Sequence, residues 1–106
     1  MSIPSTISSY LIGHHIDFET LSHAQSHSSR ETAEAALIFE DHLAKGVMLK
    51  DQQGYLLTVI PASRWVSINR LNKELNRDLR MMPEAEVEQL FPDCQPGAVP
   101  PLGMAY

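Results

Sequence analysis

Two apolar runs joined by a turn constrain this chain more than any other feature. In "AKGVMLK", residues 44–50, Val47 and Leu49 alternate as on a half-buried strand. A second run, "YLLTVIPA", follows at residues 55–62. Between them stands Asp51-Gln52-Gln53-Gly54, residues that favour a turn. The pattern predicts an antiparallel hairpin, with strands over about 43–50 and 55–60 and the turn at 51–54. The same alternation puts Lys45 on the side of Val47 and Leu49, so a cation opens an apolar strand face. Such a lysine either snorkels outward, the common fate, or sits in a pocket where its charge is used.

Around the hairpin the signals are mostly helical. Ile7, Tyr10 and Leu11 recur at helical spacing over residues 4–12, and Gly13 suits a left-handed C-terminal position. "IDFETLSH", residues 16–23, alternates loosely and predicts a strand. Ser28 and Glu31 form a capping box for a helix over "RETAEAALIF". Ser67 is placed to cap a helix from Ile68 to Leu75, with Ile68, Leu71 and Leu75 on one face. Arg70, Lys73, Glu74 and Arg77 read as the solvated face of that helix. "DLRMM" suggests a short strand, and Pro83 fits the first turn of a helix reaching Leu90. The tail "FPDCQPGAVPPLGMAY" is rich in proline and glycine and predicts a shaped loop. The whole reads as one domain of mixed α and β class.

Hydrophobic residues make up 43% of the 106-residue chain, a globular composition with a small core. The net charge of −5 argues against broad duplex binding, which needs a basic face to displace counterions. It leaves room for a grip on one or two phosphates at the end of a nucleic acid. A lone cysteine, Cys94, forms no internal disulfide and points to a cytoplasmic setting. The N-terminus lacks the pattern of a secretory signal, and no apolar run approaches membrane-spanning length.

The five histidines, His14, His15, His23, His27 and His42, form no metal-binding motif, although His23 and His27 are four apart. They read as solvated or capping side chains, and the residues call for no metal and no cofactor. Cys94 lies beside Asp93, and an adjacent carboxylate opposes thiolate formation, so the cysteine reads as passive. "GAVPPLG" is no P-loop, but its glycines and prolines fix backbone direction as a pocket wall requires.

Taken in order, "ETAEAA", "AKGVMLKDQQGYLLTVIPASRWVSINRLNKEL" and "LFPDCQPGAVPPLG" resemble the YbaK / prolyl-tRNA synthetase-associated editing domain. The resemblance implies a curved, largely antiparallel sheet with helices packed outside, and hydrolysis of mischarged aminoacyl-tRNA without a cofactor. It puts the family's pocket lysine on Lys45 and its Gly/Pro pocket loop on Gly97, Pro100, Pro101 and Gly103. Gly46, which the resemblance places among the substrate-binding residues, stands where family members usually carry a small polar residue or asparagine, so the family's usual substrate preference does not carry over directly. The family also continues past this loop into further strands, so the chain resembles roughly its first two-thirds. An incomplete domain leaves a sheet edge open to self-association. A second reading is a non-catalytic ligand- or tRNA-binding module, the N-terminal part of a longer signalling protein with a regulatory domain downstream.

Overall fold

The computed structural model describes residues 3–20, 32–33, 38–95 and 97–106. The hairpin is its centre. Strand β1 (Ala44–Asp51) pairs antiparallel with β2 (Gly54–Pro61), from Ala44 opposite Pro61 to Asp51 opposite Gly54. The Gln53 amide donates to Asp51 Oδ1 at 2.9 Å, a side-chain bond that closes the turn locally. A short third strand, β3 (Arg80–Met81), pairs antiparallel with the other edge of β1. The described sheet therefore runs β2-β1-β3, and the mixed fold class and the hairpin expected above are both observed.

Alternation along β1 divides its side chains between two environments. Gly46, Met48 and Lys50 face α3 (Glu84–Leu90) and the tail. Met48, Met82 and Phe91 form a buried cluster there, joined by Leu57, Val87, Leu90, Cys94 and Val99. Lys50 Nζ reaches Glu86 Oε2 at 2.7 Å, tying β1 to α3. Leu49 points to the opposite side and is completely buried, as Leu79 nearly is.

Helix α1 (Ser5–Gly13) buries Ile7. Its end corrects the sequence reading. Gly13 is the last helical residue, and His15 takes the left-handed conformation at φ 55°. The Ile16 amide donates to Leu11 O and the His15 amide to Ile12 O, the two bonds of a Schellman closure. The strand expected from residue 16 is absent over residues 16–20, which form no ladder. Ile16 and Phe18 stay partly exposed there, so their loose alternation had no partner strand to satisfy. Residues 21–23 of that expectation, His23, His27 and the Ser28–Glu31 capping box lie outside the described residues.

Thr32 and Ala33 are helical, but Ile38 and Phe39 are not, so the helix expected over "RETAEAALIF" ends before them. A 3-10 turn (Glu40–His42) then leads into β1. Helix α2 (Ile68–Leu75) has the expected bounds. Ser67 occupies its N-cap position, yet its hydroxyl makes no cap bond. Arg77 lies past the helix rather than on a solvated face. Its guanidinium grips Asp51 at 2.8 and 2.6 Å and also donates to Gly54 O at 3.3 Å. Asn72 donates to Leu79 O and accepts from the Leu79 amide, which holds the approach to β3 in place.

Candidate functional site

The tail crosses the hairpin on the Met48 side, and glycine makes that crossing possible. A Cβ on Gly46 would lie 3.0 Å from Leu57 Cδ1, 3.2 Å from Val99 Cγ1 and 3.3 Å from Val99 O. A Cβ on Gly103 would approach Leu57 Cδ2 to 3.1 Å. Leu57 is thus contacted by strand and tail at once, and any side chain at Gly46 would push the two apart. Gly97 turns the chain at φ 79°, a left-handed angle that costs glycine little.

Beneath this crossing lies a cavity of about 220 Å³. Gly46, Met48, Met82, Phe91, Cys94, Gly97 and Val99 line it, with Glu84 and Glu88 of α3. The lining is apolar and soft, and two carboxylates add negative charge. Such a space suits an apolar side chain or the methylene part of a polar one. The structure therefore brings Gly46 and Gly97 to one cavity. Pro100 lines a separate hollow with Ile7 and Asp93, and Pro101 and Gly103 are not among the residues lining either.

Lys45 takes a different position. It stands opposite Ile60 on the other side of β1 from Gly46. Its ammonium lies 4.6 Å from the ring centroid of Trp65. It is not among the cavity's lining residues. The ammonium is thus turned toward an exposed ring rather than into the cavity, a contact that strand alternation does not foresee. Trp65 was not singled out in the sequence, although an aromatic beside Arg64 just after a strand was a visible signal.

Cys94 reaches the cavity, but its surroundings do not make a nucleophile. Burial pushes its thiol pKa up, the Asp93 charge adds to this, and a hydrogen bond with Tyr106 acts the other way. The thiol lies 3.2 Å from the Tyr106 hydroxyl. That hydroxyl donates to Asp93 Oδ1 at 2.7 Å, and the tyrosine ring meets Phe91 edge-on at 4.7 Å. The other Asp93 oxygen accepts the Thr6 amide at 2.9 Å in the first turn of α1. Bonds from Thr6 and then Tyr106 hold the Asp93 carboxyl far below its usual range. Burial and the bonds to Cys94 and Asp93 raise the Tyr106 hydroxyl well above the usual tyrosine value. This cluster fastens the tail to α1, and Cys94 is its one member that lines the cavity. Among the described residues, no three His, Cys, Asp or Glu side chains converge to hold a metal ion. No helix among them is long and apolar enough to cross a membrane.

Fold and cavity together define a small mixed α and β domain with a glycine-bounded apolar site beside an antiparallel hairpin. The model of the aminoacyl-tRNA editing domain family matches residues 23–106, so the chain belongs to that family. No curated protein sequence matches it significantly. Among solved structures, the crystal structure of the hypothetical protein APE2540 superposes with a TM-score of 0.72 at 17% identity. That match covers 81% of this chain and 59% of the other. A structure from epitope backbone grafting by computational design, for presentation of linear epitopes on scaffold proteins, gives a TM-score of 0.67 at 12% identity. It covers 78% of this chain and 54% of that one. At these identities the likeness is one of fold, and the chain spans little more than half the length of either structure.

Proposed function

We propose that the chain acts on mischarged aminoacyl-tRNA in trans, hydrolysing the ester between a wrong amino acid and the 3′-terminal adenosine. The match of an aminoacyl-tRNA editing domain over residues 23–106 is the observation that carries this reading. The apolar cavity bounded by Gly46 and Gly97 supports it, because it offers a small space for an amino-acid side chain. In the reaction, water adds to the ester carbonyl carbon and the bond to the ribose oxygen breaks. The ribose oxygen takes a proton, and free amino acid and uncharged tRNA leave.

The raised Cys94 thiol makes covalent catalysis by that residue a poor fit. The reading instead gives the chemistry to positioning and polarisation. Lys45 anchors the tRNA end, and the Gly97–Gly103 backbone, with Pro100 and Pro101 setting its course, shapes the amino-acid pocket and orients the water. The place of action would be the cytoplasm, where charged tRNA is used. The position of Lys45 over Trp65, away from the cavity lining, favours a second reading. In it the domain holds the tRNA end without hydrolysing the ester, as a binding module of the same fold. A panel of mischarged tRNAs separates the two: release of free amino acid supports the hydrolase, and saturable binding without release supports the module.

A further inference from the structure

We propose that Trp65 is a stacking platform for an unpaired base at the tRNA 3′ end, with Lys45 and Arg64 holding the phosphates beside it. This rests on the editing-domain reading and adds a second contact region to it, outside the cavity. Trp65 is 90% exposed, the most exposed large apolar side chain among the described residues. A ring of that size normally buries most of its area.

The segment that carries it is nevertheless well fastened. The Ala62 amide donates to Leu43 O at 2.7 Å and the Arg64 amide to Pro61 O at 3.0 Å. The Ser63 hydroxyl donates to Asp41. The ring is therefore presented on a fixed turn, with the Lys45 ammonium 4.6 Å from its centroid.

Charge narrows the choice of occupant. Lys50, Arg70 and Arg77 are paired with Glu86, Glu74 and Asp51. Lys45, Arg64, Lys73 and Arg80 have no carboxylate partner among the described residues, and of these Lys45 lies against Trp65 while Arg64 is its neighbour in the chain. An apolar partner seated on Trp65 would bury the unpaired Lys45 ammonium, which is costly. A nucleotide satisfies both needs, because its base stacks on the indole while the ammonium and guanidinium meet phosphate oxygens. A chain of net charge −5 has little long-range attraction for nucleic acid, so it depends on short-range stacking of this kind.

Trp65 is the chain's single tryptophan, so its fluorescence reports this position alone. The test titrates the protein with a short, non-aminoacylated single-stranded RNA ending in CCA, and with the same sequence fully paired in a blunt-ended duplex. Saturable quenching by the first and little by the second is expected. Trp65→Ala should weaken binding about tenfold by anisotropy of labelled RNA, and Trp65→Phe should retain most of it. Lys45→Ala should lower the salt dependence by roughly one phosphate contact. Binding that is unchanged in Trp65→Ala, or that leaves the fluorescence unaltered, overturns the platform. Because the RNA carries no aminoacyl ester, the result is independent of deacylation. Deacylation with an unchanged KM in Trp65→Ala sinks the platform and leaves the editing reading intact. Quenching without deacylation does the reverse, and failure of both overturns both.

Discussion

Gly46 and Val99 are packed so closely that a methyl group on the glycine would lie 3.2 Å from Val99 Cγ1 and 3.3 Å from its carbonyl oxygen. This contact joins the central strand to the tail and sets one boundary of the cavity. Gly46→Ala is expected to destabilise the fold by about 1–3 kcal/mol, because the neighbours must give way. Gly46→Val should do so more severely. Urea unfolding of both variants checks this, and a Gly46→Val protein of unchanged midpoint would show that the tail does not rest on the strand.

The core makes a simpler demand. Leu49 has 0% exposure in the central strand. Leu49→Ala is expected to cost about 2–5 kcal/mol, since little room exists for the surroundings to collapse into the space left. A loss below 1 kcal/mol in thermal or urea melts would contradict the burial described.

Asp51 links stability to pH. The Arg77 bond holds its carboxyl far below the usual carboxylate range, against the opposing effect of burial. A carboxyl depressed in the folded state contributes stability above its unfolded pKa of about 3.9. That contribution fades as pH falls through the folded value. Asp51→Asn should therefore lower the urea midpoint at pH 7, and the gap from the unaltered protein should close as pH falls below about 4. A gap of constant size from pH 7 to pH 2 would mean that the pair does not act through ionisation.

Part of this arrangement is legible in the residues themselves. The hairpin follows from alternation and a four-residue turn, and α2 follows from Ile68, Leu71 and its flanking signals. Both depend on neighbours in sequence. The Asp51–Arg77 pair, the Asp93 link to Thr6 and Tyr106, and the Lys45–Trp65 contact join residues far apart in the chain, and local periodicity carries no trace of them. His15 takes the left-handed position that sequence spacing assigns to Gly13, because two closing bonds outweigh the modest cost of φ 55° at a non-glycine residue. The Gly97–Gly103 loop was readable as a wall, but which of its residues reach the cavity depended on how the loop lies over Leu57.

Cys94 offers a chemical check. Its partial burial and raised pKa should make it label more slowly with thiol reagents at pH 7 to 8 than a free cysteine peptide. Cys94→Ser should leave deacylation nearly unchanged. A hundredfold loss of turnover with intact stability would make the thiol part of the chemistry after all.

The sheet edge bears on assembly. β2 has no outer neighbour among the described residues, and Tyr55 and Val59 are about half exposed along it. An edge of this kind pairs readily with another strand. Light scattering is expected to show self-association that rises with concentration, and Val59→Lys should reduce it. A monomer at all concentrations would show that the edge is adequately protected.

The most direct measurement is deacylation of a panel of mischarged tRNAs by the protein and by Lys45→Ala, with RNA binding followed in parallel. The unaltered chain is expected to release amino acid from at least one mischarged tRNA. Lys45→Ala should stay folded and lose a charged contact of about 1.5–3 kcal/mol, roughly ten- to 150-fold in kcat/KM. Release of amino acid at the same kcat and KM in Lys45→Ala, or no release from any tRNA, would contradict the account.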